Sequence, residues 1–137
     1  MMITVIDGMG GGLGVKIVSE LKKRYASQIK ILALGTNSTA TAAMKKAGAD
    51  FAATGENPVV VNCKKATLIL GPIAIITPDG LMGEITPRMA EAITLSDAKK
   101  ILLPSDRCNI DVVSTPRLLN MTELIKELVD RVGEELV

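Results

Sequence analysis

Asp7-Gly8-Met9-Gly10-Gly11-Gly12-Leu13-Gly14 gathers five glycines and one carboxylate into eight consecutive residues. An apolar run, Ile3 to Asp7, precedes it, and Val15, Val18, Leu21 and Tyr25 follow at helical spacing, so it belongs at a strand-to-helix turn. Glycine in that position lets the chain turn tightly and lets its backbone approach a ligand without a Cβ in the way. The N–H groups of a helix N-terminus, with the positive end of the macrodipole behind them, suit a phosphate or a carboxylate. Asp7, Gly8, Gly10, Gly11, Gly12, Leu13 and Gly14 are therefore candidate cofactor-binding residues. The competing reading gives the glycines to the turn alone, although five exceed what a turn needs. Asp7 at the strand tip repels phosphate unless its oxygens engage loop N–H groups, a ribose hydroxyl or magnesium, and bracing of the loop is the expectation.

The register G-x-G-x-x-G is absent, and the spacing that fits is G-x-x-x-G-x-G through Gly8, Gly12 and Gly14. It resembles the cofactor loop of the short-chain dehydrogenases, but their Tyr-x-x-x-Lys pair is missing, the one tyrosine being Tyr25 in the first helix. No Gly-Lys-Ser/Thr follows the loop, which excludes a Walker A site. A second strand ends in Gly35-Thr36-Asn37-Ser38-Thr39, where an NAD site would present an acid to the ribose 2′-hydroxyl. Thr36, Asn37 and Ser38 carry hydroxyl and amide donors instead, which tilts the expected cofactor toward NADP or another nucleotide. Helix capping is the other use of the same residues. Gly71 and Pro72, closing a fourth strand, complete the candidate set, and Glu56-Asn57 is expected beside them at the crevice.

Catalytic residues stay unassigned. Ser105-Asp106-Arg107-Cys108-Asn109 holds a thiol beside a guanidinium able to lower its pKa, with a structural or surface thiol as the alternative. Asp79, Glu84 and Glu91 are expected to be solvated charges. With no histidine among 137 residues, Ser-His-Asp and Cys-His nucleophiles and histidine metal ligands are excluded. No metal site is expected. Sixteen Lys and Arg against fifteen Asp and Glu leave a net charge of +1, and only Phe51 and Tyr25 are available to stack on bases, which argues against nucleic acid. The first 65 residues hold nine basic and four acidic side chains and the remainder seven and eleven, shading the ligand toward anions. Cys63 and Cys108 lie in no C-x-x-C spacing and read as free thiols. With neither a signal peptide in MMITVIDG nor an apolar stretch of membrane-spanning length, a cytoplasmic protein is expected, without a membrane partner.

The chain is long enough for one domain, residues 1–137, and too short for two. Runs rich in β-branched residues alternate with helical stretches, which is the pattern of βαβ units. The fold class is α/β: a single Rossmann-like domain with a mostly parallel sheet of about five or six strands and helices on both faces. Strands are expected at 3–7, 29–35, 51–54, 67–70, 100–103 and 110–114. Helices are expected at 13–25, after Asn37 or Ser38, within 56–65, from Thr86-Pro87 to about residue 98, and from Asn120 to 136. Between them, Thr77-Pro78-Asp79-Gly80 signals a turn that makes either a hairpin or a protruding loop. The apolar residues flanking it, 73–76 and 81–85, point to a homo-oligomer, with a dimer the first expectation, or else to a segment folded on its own sheet.

Val5-Ile6-Asp7-Gly8 with the glycine cluster, Ala33-Leu34-Gly35-Thr36-Asn37, Ala53-Thr54-Gly55-Glu56-Asn57, Gly71-Pro72-Ile73 and Arg107-Cys108-Asn109 together resemble a bacterial family of short proteins known as a domain of unknown function. The resemblance spans the chain and implies a Rossmann-like fold, but no activity, ligand or catalytic residue. Leu68 to Pro104 is also similar, more weakly, to ribose-phosphate-isomerase-like sugar-phosphate sensors. Three functions stay open: a nucleotide-binding sensor or redox-assembly component, with NADP as the first candidate; a small enzyme on a phosphorylated metabolite, drawing on Asp7, Glu56 or Cys108; and a ligand-free, self-assembling structural module.

Overall fold

Alternating apolar residues decide which side of each strand is buried against which helices. Ile3 and Val5, Ile31 and Ala33, Leu68 and Leu70, and Ile101 and Leu103 face one core; Ile6, Leu34 and Ile69 face another. The computed structural model describes residues 1–105, 108–118 and 120–136. In chain order its elements are β1 (Met2–Asp7), α1 (Gly12–Tyr25), β2 (Lys30–Gly35), α2 (Ser38–Lys46), β3 (Phe51–Thr54), α3 (Glu56–Cys63), β4 (Leu68–Pro72), a 3₁₀ turn (Ile73–Ile76), α4 (Pro87–Leu95), β5 (Lys99–Leu103) and α5 (Met121–Glu135). The five strands form one parallel sheet in the order β3-β2-β1-β4-β5.

Helices α1, α2 and α5 cover the first face through Ile17, Val18, Leu21, Met44, Leu128 and Val129, and α3 and α4 cover the second through Val59, Cys63, Met89 and Ile93. Complete burial of a side chain such as Leu21 or Val129 stabilises the fold by about 1.5–3 kcal/mol. Local chemistry starts the helices where the sequence predicts. The Asn37 side chain accepts from the Ala40 N–H, Thr86 from Met89 ahead of Pro87, and Asn120 from Glu123. Segment 56–63 is helical despite Val59, Val60 and Val61, because a parallel β3-to-β4 connection requires a crossover. Cys63 and Cys108 are free thiols, and burial pushes the Cys63 thiol up to about 11.

One expectation is corrected, and one pair of alternatives is decided. Residues 110–114 form no strand: Val112 and Val113 are exposed, and β-propensity without a neighbouring edge to pair with does not make a strand. Residues 73–85 make no hairpin either. Ala74, Ile75 and Ile85 are buried against the α3 and α4 side of the protein's own sheet, so most of the segment folds onto its own sheet, while Met82 stays 89% exposed. Among the described residues no helix is long and apolar enough to cross a membrane.

Candidate functional site

The strand order reverses direction at β1, whose neighbours β2 and β4 lead the chain to opposite ends of the sheet. Open parallel sheets bind ligands outside the carboxyl ends of their strands at such a point. There the glycine loop faces the end of β4 across a cleft of about 850 Å³. Asp7, Gly8, Met9, Gly10, Gly11, Gly12 and Leu13 form one wall; Pro72, Ala74 and residues 77–82 form the second; and Pro104, Ser105, Cys108, Asn109 and Met121 close the third side.

The loop's glycines divide into two groups. Gly8 is roofed by Thr36, Glu84 and Leu81, so closely that a Cβ would collide with all three. Gly11 sits at φ +76° with a Cβ position 2.9 Å from Ala40 Cα, and a Cβ on Gly14 would lie 3.0 Å from that of Asp7. The fold itself demands glycine at these positions. At Gly10 and Gly12 it does not, since nothing lies within 4 Å of an added Cβ and neither residue adopts a left-handed φ. Both line the cleft, and among the described residues neither N–H has an acceptor. Gly11, the N-cap of α1, provides no side-chain cap, and the first turn contains no acid. The Gly14 N–H, and with it the Leu13 amide, is turned to the Asp7 carboxylate, which leaves Gly12 as the first-turn amide without a partner among the described residues.

Asp7 braces this loop. Its Oδ2 accepts the Gly14 N–H at 2.7 Å, and the Gly8 and Leu13 amides also stabilise its charge. Burial outweighs them and raises its pKa, with the nearby Glu84 charge adding to the rise. Asp7→Ala leaves buried N–H groups without an acceptor, each costing about 1–3 kcal/mol. The expected result is a lower urea midpoint with an unchanged m value; an unchanged midpoint removes Asp7 from this role.

The tip of β2 differs from its sequence expectation. No acid stands there in the local sequence, yet the structure brings one from the loop before α4. Glu84 Oε1 accepts the Met9 N–H at 2.7 Å, the Thr36 hydroxyl, and an Asn37 Nδ2–H at 3.0 Å. Asn37 Nδ2 also donates to the Met9 carbonyl at 2.9 Å. The Thr36 hydroxyl, the largest influence, and the Met9 N–H hold the Glu84 carboxyl below its usual pKa range, so the expectation of a merely solvated charge at Glu84 is corrected.

Of the residues expected at the site, Asp7, Gly8, Gly10, Gly11, Gly12, Leu13 and Pro72 border the cleft. Gly14 lies beneath the loop against Met44, and Gly71 is buried beside the Ile6 carbonyl. Thr36, Asn37 and Ser38 do not line the cleft; the first two are bound to Glu84 and Asn37 caps α2. Glu56 is likewise absent from the crevice expected for it: it accepts from the Thr86 hydroxyl at 2.6 Å, linking α3 to α4. Cys108 does line the cleft, its Sγ 3.4 Å from the Ser105 carbonyl, whereas Asp106 and Arg107, the guanidinium expected to activate it, lie outside the described residues.

The wall formed by residues 77–82 was not expected from sequence. Asp79, Leu81 and Met82 all adopt positive φ, as does Met9 across the cleft, a conformation that leucine and methionine do not advertise. Backbone bonds from Asp79 to the Ile85 carbonyl and from Ile85 to the Gly80 carbonyl tie this loop shut at its base.

The profile of DUF3842, a domain of unknown function, matches residues 2–137. Comparison with curated proteins gives no match. Among solved structures, the chain is similar to a dodecameric FMN-dependent UbiX-like decarboxylase from Escherichia coli O157:H7. The two share 14% sequence identity and a TM-score of 0.52 over 96% of this chain and 94% of that one. At this identity the likeness speaks to the shared α/β fold.

Proposed function

We propose that this chain, which belongs to the DUF3842 family, binds a mononucleotide whose phosphate sits on the Gly10 and Gly12 amides while its ring system lies in the cleft toward β5. The observation that carries this reading is the pair of glycines that the fold does not require, both with free N–H groups opening onto the cleft. A phosphate needs that close backbone approach, and the N-terminus of α1 adds the positive end of its dipole, partly offset by the Asp7 carboxylate bound there. The volume, about 850 Å³, lies within the range of small-molecule and cofactor sites. Met9, Leu13, Pro72, Leu81, Met82, Pro104 and Met121 offer apolar surface to a flat ring. The FMN dependence of the similar decarboxylase makes flavin mononucleotide the first probe, and its dodecameric assembly keeps a homo-oligomer within the proposal.

The chain has no tryptophan, so no indole is present to quench the fluorescence of a bound flavin. Titration of the protein into FMN is expected to raise its anisotropy, and AMP and inorganic phosphate are expected to compete. Ligand at 100 times its Kd stabilises the fold by about 2.7 kcal/mol, a melting shift of several degrees. No anisotropy change and no melting shift with FMN, AMP or phosphate at millimolar concentration reject the reading.

A second reading, turnover of a phosphorylated metabolite, rests on Cys108 alone. Of the three groups expected to serve it, Asp7 is engaged beneath the loop and Glu56 lies outside the cleft. Product formation from a phosphorylated substrate that a Cys108→Ser variant loses while still binding FMN is the outcome that favours it.

A further inference from the structure

We infer that Glu84 closes the β2 side of the crevice and thereby makes the site selective for mononucleotides against dinucleotides. This rests on the nucleotide-binding reading of the glycine-loop cleft and specifies its ligand class. A dinucleotide on a Rossmann-like sheet crosses the glycine loop and lays its adenosine ribose at the tip of β2. That route is occupied here. Leu81 and Glu84 cover Gly8, the residue over which the ligand would pass. The polar groups that would meet the ribose, the Thr36 hydroxyl and the Asn37 amide, both donate to Glu84 Oε1. A third donor to the same oxygen, the Met9 N–H, fastens the carboxylate to the glycine loop, and the Asn37-to-Met9 bond makes a second strap between the loop and β2. The cleft opens the opposite way, along β4 and β5, and none of Thr36, Asn37 or Ser38 borders it.

Two costs oppose a dinucleotide. Its ribose must displace three hydrogen bonds centred on one oxygen, and the 2′-phosphate of NADP must approach a carboxylate of like charge. A mononucleotide meets neither, because its single phosphate stops at Gly10 and Gly12 and its ring continues away from β2.

Displacement of bound FMN by NADP and NAD, measured on the wild type, Glu84→Gln and Glu84→Ala, tests the inference. The wild type is expected to bind both dinucleotides at least about tenfold more weakly than FMN, with NADP the weaker. Glu84→Ala, which removes both the charge and the block, is expected to raise the affinity for NADP relative to FMN by about tenfold or more. Glu84→Gln keeps an acceptor for the Met9 N–H, so it carries the test of charge where the alanine variant fails to fold, and it is expected to narrow the gap between NADP and NAD. A wild type that binds FMN and NADP equally well overturns the selectivity and leaves the cleft reading standing. An NADP/FMN affinity ratio unchanged in Glu84→Ala, or in Glu84→Gln where the alanine variant does not fold, does the same. A wild type that binds no nucleotide overturns the cleft reading and this inference with it.

Discussion

Gly12→Val is expected to abolish nucleotide binding while leaving the melting temperature unchanged or slightly higher. The two halves of this result have separate causes. On the stability side, the added Cβ meets no atom within 4 Å and the backbone is not left-handed, so the substitution starts from open space. Gly12 is the first residue of α1, and replacing a helical glycine reduces the conformational entropy lost on folding, a gain of up to about 1 kcal/mol before the β-branch is discounted. On the binding side, the empty space around that Cβ belongs to the cleft. Two methyl groups there hold a phosphate off the Gly10 and Gly12 amides. Loss of two hydrogen bonds to a charged group, at about 1.5–3 kcal/mol each, corresponds to a fall in affinity of at least about 100-fold. Gly11→Ala is the contrasting control. With φ +76° and Ala40 Cα 2.9 Å from its Cβ position, it is expected to lower the melting temperature. FMN anisotropy and thermal unfolding on the same samples check both effects. Full affinity in a folded Gly12→Val protein places the phosphate elsewhere.

The contrast between Gly11 and Gly12 shows where the sequence is informative. The glycine cluster at a strand-to-helix junction locates the site because its neighbours carry local periodicities: alternation in β1 and helical spacing in α1. Caps at Asn37, Thr86 and Asn120 are legible for the same reason, since each bond spans three residues. The division of labour among the glycines is not, because what a Cβ would strike belongs to other elements: Ala40 and Met44 in α2, and Leu81 and Glu84 in the loop before α4.

Glu84 illustrates the limit most clearly. It reaches Thr36 across 48 positions of sequence, and no local pattern marks a glutamate as the acid of a distant strand tip. Thr36 and Asn37 are donors, as their side chains suggest, and in the folded protein both donate to Glu84. Residues 110–114 fail for a related reason. Ile110, Val112 and Val113 have the composition of a strand, but pairing depends on a neighbouring edge, and the resulting segment leaves Val113 91% exposed. Composition records what a residue can do, and tertiary partners determine which of those uses it takes.

Gly71→Ala is expected to cause a large loss of stability, because the added Cβ has no room at this end of the sheet. Gly71 resembles a ligand-facing residue in sequence, since it ends a strand and precedes Pro72 at the crevice. Its surroundings give it another role. An added Cβ would strike the backbone carbonyl oxygen of Ile6 and lie 3.0 Å from Ile75 Cδ1. The first of these contacts cannot be relieved by a rotamer change, because Ile6 is held in β1 by the Ile6–Leu34 register with β2. β1 and β4 pair at Thr4–Ile69 and Val5–Leu70, so Gly71 lies one residue beyond the last pair, where β4 passes closely over Ile6 as the crevice opens. Alanine must push the central strands apart or twist β4 out of its pairing with Leu102 of β5. Overpacking of a rigid core costs about 1–3 kcal/mol and sometimes more, and the backbone nature of this clash puts the expected value at the upper end. In urea unfolding the midpoint should fall with little change in m, and NADP or FMN should not restore it beyond the increment that either gives the wild type. A midpoint equal to that of the wild type shows that β1 and β4 separate readily. In that case Gly71 is not what holds the two strands at the spacing on which the crevice depends.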